Sequence, residues 1–110
     1  PVRVMIDARR GEVHTQDFAP DGTALSAPAL HGHAEAAIGL DGFVAAGSGA
    51  ALVAAETQSV LSTASTGAIV DFARLAALSA SHSCTSLTIS PLYLRGADAK
   101  PQEGFALARR

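Results

Sequence analysis

The 110-residue sequence has one cysteine, no tryptophan and five aromatic residues, four Phe and one Tyr. A single thiol, Cys84, excludes an internal disulfide and a cysteine-based zinc site, and it suits a reducing cytoplasm. Charge is also sparse: eight Lys and Arg against ten Asp and Glu leave a net charge of −2 at pH 7. Without a basic stripe, direct contact with tRNA or DNA is not expected, and any such contact would come through a partner. No stretch approaches the roughly 18 uninterrupted apolar residues of a membrane span, and no basic-then-apolar leader opens the chain. Pro1 stands just ahead of a strand-like run, the expectation for a domain cut from a longer protein.

What is present is apolar but small. A 48% hydrophobic and 16% charged composition excludes a disordered chain. This length makes one domain at most, able to bury roughly two-thirds of its unfolded surface. Of the 53 apolar residues 24 are Ala, while Leu, Ile, Val and Phe together supply 26. So thin a core predicts a domain that leaves one face for another body.

The order of elements predicts an α/β fold. Arg3-Val4-Met5-Ile6, stopped by Asp7 to Gly11 and followed by Glu12 to Phe18, reads as a hairpin. Pro20-Asp21-Gly22 is a turn, Pro fixing φ and Gly accepting positive φ, and Thr23 to Ala27 is expected to pair as a third antiparallel strand before Pro28 ends it. His33 to Ile38 is a short helix former. Phe43 to Ala46 is a buried strand in the same sheet, and it runs through Gly47-Ser48-Gly49 into a helix over Ala50 to Ala55. Residues 57–66 read as a Ser/Thr loop, with Thr66 capping a helix through Leu78. Ile69, Phe72, Ala73 and Ala76 form its buried stripe, and Asp71 pairs with Arg74. Ser79 to Ser86 is a second polar loop. Leu87 to Leu94 is extended, interrupted by Pro91, and a tail follows from Gly96; the domain thus covers 1–95 and the tail 96–110.

No catalytic or metal set emerges. His31 and His33 lack a third ligand and read as solvated loop histidines. Cys84 beside Ser83 and His82 reads as an incidental thiol. Ser48 lies between glycines, but Ala46 occupies the first position of what would be a nucleophile elbow. Asp98 and Glu103 lie in the tail, Asp17 and Asp21 bracket a turn, and all four read as solvated charges. Two features suit nucleotide contact. The hairpin turn from Asp7 to Gly11 offers backbone amides with Arg9 and Arg10, and Gly47 to Gly49 opens a helix N-terminus. Their plain readings, a charged hairpin tip and a tight strand-to-helix turn, outweigh that use, since a lone GxG lacks the rest of a dinucleotide fingerprint.

Three segments carry a family resemblance. Pro91-Leu92-Tyr93-Leu94-Arg95, continuing through Gly96 to Pro101, resembles the closing motif of the bacterial TsaB (YeaZ) family. Asp7 to Val13 resembles the hairpin that begins that family's second lobe, and Gly47-Ser48-Gly49-Ala50 its glycine turn. They fall in the family's order and span residues 7–101. His14 stands where the family usually has Tyr, and the N-terminal lobe is absent. The resemblance implies one lobe of the actin-like ATPase (ribonuclease H-like) fold: a three-stranded antiparallel ribbon extended by further strands and flanked by helices. It also implies a non-catalytic scaffold, with no cofactor of its own, supporting threonylcarbamoyladenosine formation in tRNA with a TsaD-like transferase and a TsaE-like ATPase. The family's partner-binding helices are expected in the absent lobe. In active members of the fold this hairpin holds phosphate and the glycine turn receives adenosine, which makes Asp7, Gly11, Gly47 and Gly49 the positions to inspect. An ATP-binding lobe and a glycoprotease-like hydrolase using Cys84 or Ser48 are the alternatives; neither an HxxxH motif nor a Ser-His-Asp set supports proteolysis.

Overall fold

The computed structural model describes residues 1–58, 63–65, 70–83 and 88–96. The first strand, β1 (Val2–Asp7), pairs antiparallel with β2 (Glu12–Phe18) in a register that sets Met5 opposite Thr15 and Ile6 opposite His14. At the tip, Ala8 N–H donates to Glu12 C=O at 3.0 Å and Glu12 N–H to Arg9 C=O at 3.1 Å. The central residues Arg10 and Gly11 hold φ of 58° and 74°. Positive φ at both positions is what a primed hairpin turn needs to match the twist of its strands.

The third antiparallel strand is β3 (Ala29–Gly32), paired with β2 from Glu12↔Gly32 to Thr15↔Ala29. The expected strand at Thr23 to Ala27 is therefore displaced. Those residues run beside the end of β2 through a single bridge, Phe18↔Ala24. There Ser26 takes over the ladder with its side chain, its Oγ accepting from Asp17 N–H at 3.0 Å. Regular pairing resumes only after Pro28, which has no N–H to give.

A single turn, α1 (His33–Ala36), leads to β4 (Val44–Ala46), which lies parallel to β1. Then come α2 (Ala50–Thr57), the short strand β5 (Thr63–Ser65) and α3 (Phe72–Ala80). The sheet order is β3-β2-β1-β4-β5, and β5 is parallel to β4. The chain is thus an α/β domain on a mixed sheet. The Ser/Thr-rich stretch at 57–66, expected as loop, holds β5; three residues without apolar alternation owe their pairing to the free edge of β4.

Because paired residues share a face, Arg3, Met5, Asp7, Val13, Thr15, Asp17 and Ala45 point one way, toward α1 and α2. Val2, Val4, Ile6, His14, Gln16 and Phe18 point the other way. The core lies on the first face: Met5, Val13, Ala36, Ala45, Ala50 and Val53 are buried, with Ala37 and Leu40 against them. Only Met5, Val13 and Val53 bring bulk, so small residues set how closely the helices approach.

Helix α3 departs from its expected packing. Its cap is Asp71, whose carboxylate accepts from Ala73 and Arg74 N–H, both at 3.1 Å. Asp71 and Arg74 do pair, at 3.4 Å. Nothing on α3 is buried, and Phe72, expected in a buried stripe, is 75% exposed. Thr66 and Ile69 lie outside the described residues, as does the tail from residue 97. Residues 88–96 carry no regular secondary structure. No helix among the described residues is long and apolar enough to cross a membrane.

Candidate functional site

Strand β1 is the switch point of the sheet, with β2 on one side and β4 on the other, and in open α/β sheets ligands gather at the carboxyl ends of such strands. At that end β1 finishes at Asp7 and the hairpin tip, and β4 finishes at Gly47-Ser48-Gly49. The two are stitched together. Asp7 N–H donates to Ser48 Oγ at 3.1 Å, and Gly49 N–H to Met5 C=O at 2.9 Å. Arg95, from the far end of the chain, reaches the same place; its guanidinium pairs with Glu12 and donates to Arg9 C=O at 3.3 Å.

The glycines are explained by packing. Gly47 has φ of 101°, and a Cβ there would fall inside contact distance of the Met5 carbonyl oxygen. At Gly49 a Cβ would sit 2.6 Å from Val13 Cγ1. A side chain at either position would push α2 off the sheet. Ser48, which resembles part of a nucleophile elbow, spends its hydroxyl oxygen on the Asp7 amide.

The amides that would cradle a phosphate are largely engaged within the protein. Ala8 and Glu12 N–H close the hairpin, and Arg9 N–H donates to Asp7 Oδ1 at 2.8 Å. Ala50 N–H donates to Gly47 C=O at 3.2 Å, beside the bonds already given for Asp7 and Gly49. The carboxylates are paired too, Asp7 with Arg9 at 3.5 Å and Glu12 with Arg95. Arg9 and Arg10 have φ of 65° and 58°, which is uncommon for side chains of this size. This end is a structural junction whose exposed decoration is arginine.

The other candidates disperse. His31 is hydrogen-bonded through Nδ1 to the Thr15 hydroxyl at 2.9 Å and lies 3.8 Å from Glu35. His33, expected in a solvated loop, is buried; its Nδ1 pairs with Glu56, tying α1 to α2, and its Nε2 has no partner among the described residues. The sequence placed it in a loop because no local pattern reveals that α2 covers it. No group of three His, Cys, Asp or Glu among the described residues is placed to hold a metal. His82 Nδ1 bonds Leu78 C=O at 2.7 Å on the surface. Cys84, Asp98 and Glu103 lie outside the described residues. Asp21 caps its own turn, its carboxylate accepting from Thr23 N–H at 2.9 Å, and that bond holds its pKa below the ordinary 3.8.

Asp17 is no solvated charge. It takes a two-pronged grip from Arg3, Nε to Oδ1 at 2.7 Å and Nη2 to Oδ2 at 2.8 Å. The same guanidinium donates through Nη1 to Ala36 C=O at 3.0 Å and Ile38 C=O at 2.7 Å, and it lies 5.7 Å from the Phe43 ring centroid. The Asp17 hydrogen bonds raise the Arg3 pKa against the opposing effect of burial. Sequence reasoning passed over this clamp. Its signal was an arginine inside an otherwise apolar strand, facing an acid of the next strand in a hairpin.

No family model, no curated protein and no solved structure matches the chain.

Proposed function

We propose that the chain is a lobe of a TsaB-like, non-catalytic scaffold of the bacterial cytoplasm. It supports threonylcarbamoyladenosine formation in tRNA together with a TsaD-like transferase and a TsaE-like ATPase. One observation carries the proposal: the three segments that resemble the family, far apart in sequence, meet at one end of the sheet. Asp7 bonds Ser48 across 41 positions, and Glu12 pairs with Arg95 across 83. Three unrelated local likenesses have no reason to converge; parts of one conserved architecture do. The antiparallel ribbon β1-β2-β3, extended by β4 and β5 with α1 and α2 packed on it, also suits one lobe of an actin-like fold.

The use of the donors supports the non-catalytic reading. The turns that would hold a phosphate and an adenosine direct the amides of Asp7, Ala8, Arg9, Glu12, Gly49 and Ala50 to acceptors within the protein. A group already bonded must break that bond to bind a ligand. In the source organism, depletion of the gene encoding this sequence followed by mass spectrometry of tRNA nucleosides tests the role. Loss of threonylcarbamoyladenosine is the expected result, and an unchanged level overturns it.

A further inference from the structure

Charge is sparse in this chain, yet two arginines stand side by side at the tip of the β1-β2 hairpin. Arg9, Arg10 and Gly11 all have positive φ, at 65°, 58° and 74°. Glycine takes that conformation freely, whereas a long side chain disfavours it. Turn chemistry asks for Asn or Asp ahead of Gly11, and Arg10 is neither. The backbone of Arg9 is held from several sides. Its N–H donates to Asp7 Oδ1 at 2.8 Å, and its C=O accepts from Glu12 N–H at 3.1 Å and from Arg95 at 3.3 Å. Strain of this kind persists where the surrounding contacts over-determine it. Both arginine side chains are exposed, that of Arg9 by 86%, and neither belongs to the core. The fold therefore carries two residues that its turn does not ask for, and it displays both on the surface.

We propose that the Arg9-Arg10 tip is a docking point for an acidic segment of a partner protein. The recognising groups are the guanidinium side chains, since the amides of Ala8, Arg9 and Glu12 are engaged within the hairpin. A guanidinium presents parallel N–H donors that match the two oxygens of a carboxylate. Arg9 already makes a contact of that kind with Asp7, at 3.5 Å. An exposed pair of this length is weak, and a partner carboxylate can replace it. The tip is also fixed in advance by the bonds to Asp7, Glu12 and Arg95, which lowers the ordering cost of binding. Nucleic acid fits this surface less well. A phosphate backbone is held by an extended row of cations, and here Asp7 and Glu12 flank the two arginines in a chain of net charge −2. The complementary surface is thus a short one, a few carboxylates within reach of one turn. The proposal stands on the turn alone and does not depend on the scaffold role.

Fluorescence anisotropy of a labelled hexaglutamate peptide, titrated with the full chain at low salt, tests it, with an RNA hexamer as the comparison. Saturable binding of the peptide is expected, tighter than that of the RNA. Replacing Arg9 and Arg10 together by Ala should weaken it at least about fivefold, while Arg74→Ala, an exposed arginine on α3, leaves it unchanged. Arg10→Asn supplies a second readout. It relieves the turn, so the urea midpoint should rise even as peptide binding falls. Absence of peptide binding overturns the proposal. So does tighter binding of the RNA, an equal loss in Arg74→Ala, or binding that survives the double substitution in a folded chain. A lower urea midpoint in Arg10→Asn overturns it as well, because the arginine would then serve the fold and not a partner.

Discussion

Met5 and Ile6 are neighbours in β1, and the first is fully buried while the second is half exposed. The face that Met5 occupies is built from small parts. Ala36, Ala45 and Ala50 are buried there, and Gly47 and Gly49 let α2 come close to β1. Bulk is concentrated elsewhere, in Ile6 and in Phe72, Leu75, Leu78 and Leu92, all exposed. The alanine excess thus serves tight helix-to-sheet contact, and the large apolar residues stand on exposed surfaces.

The sharpest way to break that contrast is Gly47→Ala. It combines an unfavourable φ with a clash against the Met5 carbonyl, and it should cost about 4 kcal/mol, read as a large fall in the urea midpoint. A loss below about 1 kcal/mol would mean that the approach of α2 to β1 is not tight. Met5→Ala comes next, at about 3 kcal/mol for a buried side chain that the surrounding small residues cannot replace. Ile6→Ala, one position along, should cost about 1 kcal/mol, and equal effects at the two sites would erase the distinction between the faces.

Arg3→Lys keeps the charge but loses the fork that joins β2 to the end of α1, and about 2 kcal/mol is expected. If the variant is as stable as the parent, the clamp is decoration. Asp71→Ala removes the cap of α3 and should cost about 1 kcal/mol of local helix stability, detected as faster amide exchange at Ala73 and Arg74 with the sheet unaffected. The smallest effect is at Asp21. Its folded pKa is depressed, so its contribution is present above the ordinary carboxylate range and is lost as pH falls through the lower folded value. An NMR titration should place its midpoint below 3.8.

These residues also mark how far the sequence could be read. The β1-β2 hairpin was legible because apolar runs and turn chemistry agree there, and the strand, glycine turn and helix from Val44 to Thr57 was legible for the same reason. The third strand was misplaced by five to six residues, since a good turn at Pro20 to Gly22 implies immediate pairing and nothing local shows that Ser26 interrupts it. Strand β5 was hidden because an edge of three residues carries no period. The Asp71 cap was overlooked in favour of Thr66. At the site, Asp7, Gly11, Gly47 and Gly49 were marked as nucleotide-contact candidates by resemblance, but their use within the fold was not legible. Whether an amide donates outward or to Ser48 Oγ depends on contacts 41 residues apart.

The most direct measurement of what these turns do is a calorimetric titration of the chain with ATP and magnesium. With the amides of Asp7, Ala8, Arg9, Glu12, Gly49 and Ala50 engaged in the fold, saturable binding tighter than about 1 mM is not expected. Micromolar binding, weakened at least tenfold by Arg9→Ala in a chain that stays folded, would contradict the scaffold and return the hairpin and the glycine turn to a nucleotide.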